Sequence, residues 1–212
     1  MELKTLLLKN FKPLIMAGVS LCGLQAVAQT NITVEANANW VGGMLCYENT
    51  PEQPYMWYND WGLADVKTEK NTTNNTLTLY PNYNTYDATN AYWSNGAMGN
   101  KILEGITMVI DDALATQQFT FTANFTSFTL AQGYTATMFI KTFDANWGAL
   151  NETTIPVTGT GIKSIPYNAA QYTGGAHVQY GFTVKGLNAN PINITEYGNI
   201  CLLYTSPSPR DG

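Results

Sequence analysis

The chain has 212 residues and a formal net charge of −5, with 13 Tyr, three Cys and a single His, and only 12% of its residues are charged. Between residues 29 and 200 there are six Lys, thirteen Asp or Glu and no Arg, a formal charge near −7. Nucleic-acid and anionic-membrane surfaces need basic patches that this composition lacks, strongly anionic polymers would need a bridging cation, and one His with one interior Cys cannot build a familiar zinc site.

The chain opens with Lys4, Lys9 and Lys12, an apolar run over residues 14–24, and Ala26-Val27-Ala28. This order predicts a secretory signal peptide over residues 1–28, cleaved before Gln29. The apolar run is too short for a permanent membrane span. The mature protein is therefore expected outside the cell or at its surface, with no membrane insertion. Lipid attachment at Cys22 is the alternative; it calls for a small residue before the cysteine, and Leu21 is not small. Within residues 29–200 only Cys46 remains, which excludes an internal disulfide even in an oxidising compartment. Cys46 is expected to behave as a small buried apolar residue.

Period-two alternation dominates the rest of the chain. Strands are expected at residues 32–36, 40–47, 64–68, 76–79 and 102–110. Further strands are expected at 119–125, 134–143, 154–158 and 178–184, with a last one approaching Ile200. Phe119, Phe121, Ala123 and Phe125 share one face, opposite Thr120, Thr122 and Asn124. Val178, Tyr180, Phe182 and Val184 alternate in the same way. Such strands bury one face and wet the other, as in antiparallel sheets. Turn signals at residues 71–75, 95–96, 133, 159–161, 174–175 and 188–191 separate them. No helix is expected. Nine or so short strands at this spacing predict an all-β fold, an antiparallel two-sheet β-sandwich of the jelly-roll type. Beyond Ile200, residues 201–212 are similar to a translated sequencing-library adapter of metagenomic origin. The module is accordingly expected to be truncated near residue 200, with any attached domain beyond it unknown.

Residues 40–200 resemble a β-sandwich module of large secreted proteins of marine bacteria that use type IX secretion. The resemblance rests on four stretches. They are residues 61–68 (WGLADVKT), 77–86 (LTLYPNYNTY), 178–182 (VQYGF) and 186–191 (GLNANP). No motif among them is catalytic. The architecture is similar to carbohydrate-binding jelly rolls attached to polysaccharide-degrading enzymes, a likeness of fold that does not by itself carry function.

Triads of the Ser-His-Asp or Cys-His kind need a histidine base, and His177 is expected to be a solvent-facing strand residue. Glycoside hydrolysis needs only two facing carboxylates, about 5–10 Å apart. Asp111, Asp112, Asp144, Glu104 and Glu152 are available, without a spacing signature. Asp111, Asp112 and Asp144 could instead hold a structural calcium ion with backbone carbonyls, or serve as ordinary turn acids. No other cofactor is expected.

Aromatic residues carry the stronger signal. Sugar rings present flat C–H faces to aromatic rings, and contacts of this kind contribute about 0.5–1.5 kcal/mol beyond buried area. Polar sugar edges bond to Asn, Gln and Asp. Tyr55, Trp57, Tyr58, Tyr86 and Trp147 lie in stretches without alternation, beside Asn and Asp, and are the expected ligand contacts. Trp40, Trp61 and Trp93 are expected in the core. The expectation is a non-catalytic module that binds a polysaccharide, neutral rather than anionic. Two rivals remain. A structural spacer or adhesion module would bury Trp57 and Trp147 and show no open groove. A two-carboxylate glycosidase would place acids face to face across a cleft.

Overall fold

The computed structural model describes residues 30–204. The expected signal peptide, Cys22 and residues 205–212 of the tail lie outside the described residues. In chain order the strands are β1 (Thr30–Thr33), β2 (Val41–Glu48), β3 (Tyr55–Trp61), β4 (Thr68–Asn71), β5 (Thr76–Leu79), β6 (Ser94–Asn95) and β7 (Met98–Gly99). They continue with β8 (Lys101–Ile110), β9 (Gln118–Phe128), β10 (Thr135–Phe143), β11 (Ala149–Val157), β12 (Gly161–Asn168), β13 (His177–Leu187) and β14 (Ile200–Leu203).

The front sheet has the order β11-β10-β13-β8-β2-β3, antiparallel throughout. The back sheet centres on β9. One edge of β9 pairs with β12; the other is shared end to end by β1 and β14, and β14 continues through β5 to β4. From β9 onward the chain crosses repeatedly between sheets: β9 back, β10 and β11 front, β12 back, β13 front, β14 back. The molecule is an all-β, two-sheet sandwich.

The core forms where the alternation placed it. Phe119, Phe121, Ala123 and Phe125 of β9 face Val178, Tyr180, Phe182 and Val184 of β13, and all eight are buried in one cluster. Phe182 meets Phe121 at 5.5 Å and Phe125 edge-on at 5.7 Å between ring centroids. A second cluster holds Met44, Cys46, Val66 and Leu103, with Trp57, Trp61 and Trp93 packed against it. Burial pushes the Cys46 thiol pKa up.

Several local expectations change. Residues 55–61, expected as loop, form β3 at the edge of the front sheet. Residues 64–68, expected as a strand, wind into a turn in which Val66 N donates to the Gly62 carbonyl and Thr68 N to the Leu63 carbonyl; Lys67 adopts φ 66° there. β12 was not expected at all. β1 pairs parallel to β9, against an antiparallel expectation, on the edge of β9 where β14 pairs antiparallel. A single helical turn, α1 (Ile194–Tyr197), precedes β14. β14 runs to Leu203 and buries Leu202 completely, so the folded unit extends past the expected boundary at Ile200.

Candidate functional site

The two outer faces of the sandwich differ in chemistry. On the back sheet, β9 presents Thr120, Thr122, Asn124 and Thr126 outward. Thr122 Oγ1 donates to Asn31 Oδ1 at 3.0 Å and shares a hydrogen bond with Ser164 Oγ at 2.9 Å. This is the polar surface expected of a solvated sheet.

The front sheet turns apolar side chains out as well as in. On β8, Leu103 and Val109 point to the interior while Ile106 and Met108 point outward. Ile106, Met108 and Phe139 form a third buried cluster with Val41 and Leu45 against it, on the solvent side of the sheet. Above it lies a cleft of about 570 Å³, lined by side chains of β2, β3, β8, β10 and β13. Leu45, Ile106, Met108 and Ile110 are its floor; Tyr58 with Asp60 stands at one side, Trp147 with Phe143 at the other, and Lys141 and Gln179 complete the lining.

Tyr58 owes its position to a glycine. A Cβ on Gly43 would sit 2.7 Å from the Tyr58 hydroxyl and 2.8 Å from its ring, so the ring lies directly over Gly43. The Tyr58 hydroxyl donates to Asp60 Oδ1 at 2.6 Å. Burial, with Asp60 adding to it, raises the phenol pKa above its ordinary value.

Trp147 is held from three directions. Its turn is organised by Asp144, whose Oδ1 accepts from the backbone N–H groups of Asn146 and Gly148, both at 2.8 Å. Trp147 N donates to the Asp144 carbonyl at 3.0 Å, and the residue sits at φ 64°. A left-handed backbone costs an ordinary side chain about 1–2 kcal/mol. The indole stacks on His177, centroids 3.9 Å apart and planes 2° from parallel, with Phe143 against it at 5.7 Å. His177 Nδ1 lies 3.0 Å from Asp112 Oδ1, within ion-pair range but not in hydrogen-bond alignment. Trp147 remains 50% exposed and Tyr58 39% exposed.

Of the five expected ligand contacts, the fold brings Tyr58 and Trp147 to the cleft. Trp57 lies on the opposite face of β3, half-buried against Trp61 and Trp93, and its Nε1 donates to the Tyr92 hydroxyl at 3.0 Å. The expectation that it faces solvent is corrected. A bulge between Cys46 and Tyr47 puts Met56 and Trp57 together on the inner side of β3. Tyr55 is 60% exposed and meets Tyr47 edge-on at 6.2 Å, on the same strand pair but outside the cleft. Tyr86 is half-buried, away from the cleft, and its hydroxyl donates to the Gly96 carbonyl at 3.0 Å.

The three aspartates weighed for calcium have separate partners. Asp111 caps a 3-10 turn, Asp112–Thr116, by accepting from Ala113 N; Asp112 faces His177; Asp144 folds the Trp147 turn. Among the described residues no three His, Cys, Asp or Glu side chains gather into a metal-holding group. His177, expected to be a plain solvent-facing strand residue, instead supports the indole. Asp60, Lys141 and Gln179 were not anticipated in the site. The signal that could have found the floor was the run Ile106-Thr107-Met108-Val109-Ile110, apolar on both faces but for Thr107, which reads as a strand covered on both faces.

Fold and site together define a class: an all-β sandwich with an aromatic-walled, apolar-floored cleft on the outer face of one sheet. Comparison of the chain with family models, with curated proteins and with solved structures returned no match in any of the three.

Proposed function

We propose that this chain is a non-catalytic carbohydrate-binding module of an exported protein, and that the front-sheet cleft receives a neutral polysaccharide. The asymmetry of the two outer faces carries this reading. A sheet face that only meets water needs no cluster of packed apolar side chains on its outer side; the outer face of the back sheet is mostly Thr, Asn and Ser, with Ile162, Pro166 and Leu203 standing singly and no buried cluster among the described residues. An apolar trough rimmed by polar groups is the general form of a ligand site. Tyr58 and Trp147 supply exposed ring faces, and Asp60 and Gln179 supply hydrogen-bonding edges.

The charge balance favours a neutral polymer. Lys141 is the cleft's one cation among the described residues, and its Nζ lies 3.2 Å from Glu152 Oε1. The spacer and adhesion reading asks for buried Trp57 and Trp147 and no open groove; Trp57 does pack inward, whereas the Trp147 indole is half exposed beside a cleft. The glycosidase reading asks for facing carboxylates, whereas Asp60 is the one carboxylate lining the cleft among the described residues.

Affinity gel electrophoresis against a panel of neutral and acidic polysaccharides, with calcium and with chelator, tests the proposal. Retardation by a neutral polymer is expected, independent of calcium and lost in Trp147→Ala and in Tyr58→Ala. Retention of both variants equal to the parent would move the site elsewhere. Failure of every polymer would favour the spacer or adhesion reading.

A further inference from the structure

The floor of the cleft narrows the class of sugar. Leu45 comes from β2, and Ile106, Met108 and Ile110 come from the adjacent β8. None of these side chains carries a hydrogen-bonding atom apart from the Met108 thioether sulfur, a weak acceptor. Polar groups stand only at the margins, and two are already engaged: the Tyr58 hydroxyl donates to Asp60, and Lys141 pairs with Glu152. A sugar lowered onto this floor with its hydroxyls downward would lose water and gain no partner. Buried polar groups without partners are costly. A sugar that turns a methyl or acetyl group downward meets no such cost and gains apolar contact.

We infer that the cleft, if it binds glycan as proposed above, selects sugars bearing small apolar substituents. Acetyl esters, N-acetyl groups and the methyl group of 6-deoxy sugars share this chemistry. The substituent seats on Leu45, Ile106, Met108 and Ile110, while the ring faces stack on Tyr58 and Trp147. Plain glucans, xylans and mannans, with only hydroxyls to offer the floor, bind more weakly.

The experiment uses the chain as it stands and matched pairs of ligands. An acetylated xylan or glucomannan is compared with the same polymer after mild alkaline deacetylation. N-acetylglucosamine oligosaccharides are compared with glucose oligosaccharides of equal length, and a rhamnose polymer with a mannose polymer. The inference predicts at least about a tenfold preference for the substituted member of one pair, and the pair that shows it identifies the substituent. Ile110→Thr, at a position 41% exposed on its strand, and Leu45→Thr are expected to reduce that preference about fivefold. Equal or tighter binding of the unsubstituted members, or a preference untouched by both floor variants, overturns the inference and leaves the binding-module reading intact. No binding to any member of any pair overturns the module reading and this inference with it.

Discussion

Trp147 combines a large exposed ring with a left-handed backbone, and each feature by itself opposes folding. Its turn, its stacking partner and the carboxylate behind that partner all hold it in place. Strain of this kind is tolerated where a side chain must stand at a set place. Trp147→Ala is therefore expected to change stability by less than about 1 kcal/mol while abolishing polysaccharide retention; urea denaturation beside gel retardation checks both. His177→Ala is expected to weaken binding several-fold without unfolding the chain. His177→Phe, which keeps a flat ring under the indole, should restore most of the loss, and an unrescued variant would contradict the support role. Trp57→Ala should do the reverse of Trp147→Ala. It removes a ring packed against Trp61 and Trp93 and should cost about 2–4 kcal/mol, read as a lowered denaturation midpoint. The sequence singled out Tyr58 and Trp147 because both lie beside turn-forming residues. It could not separate Trp57 from Tyr58, because the stretch reads as loop, and the face each occupies is set by the register of β3 on β2, which pairs Trp57 with Cys46 and Tyr58 with Leu45.

At the level of elements, Gly43 and β14 carry the account. Gly43 lets the Tyr58 ring lie across β2, and a methyl group there would meet only the far end of a mobile side chain. Gly43→Ala should then leave stability within about 1 kcal/mol and displace the ring, weakening ligand binding to the level of Tyr58→Ala in the same titration. Leu202 is fully buried between β5 and β9. Leu202→Ala should cost about 2–5 kcal/mol, which makes the residues after Ile200 part of the folding unit; a change below 1 kcal/mol in urea melts would contradict that. Strands that pack into the core from both sheets, β8, β9, β10 and β13, were legible as alternation or apolar runs. The strands that escaped notice lie at sheet edges. β3 reads as a loop because Asn59 and Asp60 interrupt it, and β12 is masked by Pro166, a residue tolerated in a strand that pairs on one side only. Residues 64–68 misled in the other direction. Ala64 and Val66 mimic a strand's alternation, while Val66 reaches the second core cluster from a turn.

For the whole molecule, the absence of an internal disulfide in residues 29–200 leaves stability to the cores, and several of their aromatic residues titrate. Burial raises the Tyr180 phenol to about 12 from its ordinary 10.0, with Asp111 and Glu35 adding to the effect. Tyr47 and Tyr134 are also raised, chiefly by burial. Below pH 10 native and unfolded chains both hold the Tyr180 proton. Between about pH 10 and 12 the unfolded chain releases it while the native chain keeps it, so stability falls across that window. Urea midpoints should be flat from neutral pH to about pH 9 and decline above pH 10, and Tyr180→Phe should soften the decline.

The central claim concerns which face of the sandwich meets a ligand. The most direct measurement is a calorimetric titration of one retained polysaccharide into the parent chain, Trp147→Ala on the front sheet and Thr122→Ala on the back sheet, side by side. The account predicts equal binding by the parent and the Thr122 variant, with none detectable for the Trp147 variant. Binding that survives Trp147→Ala, or is lost in Thr122→Ala, would contradict it.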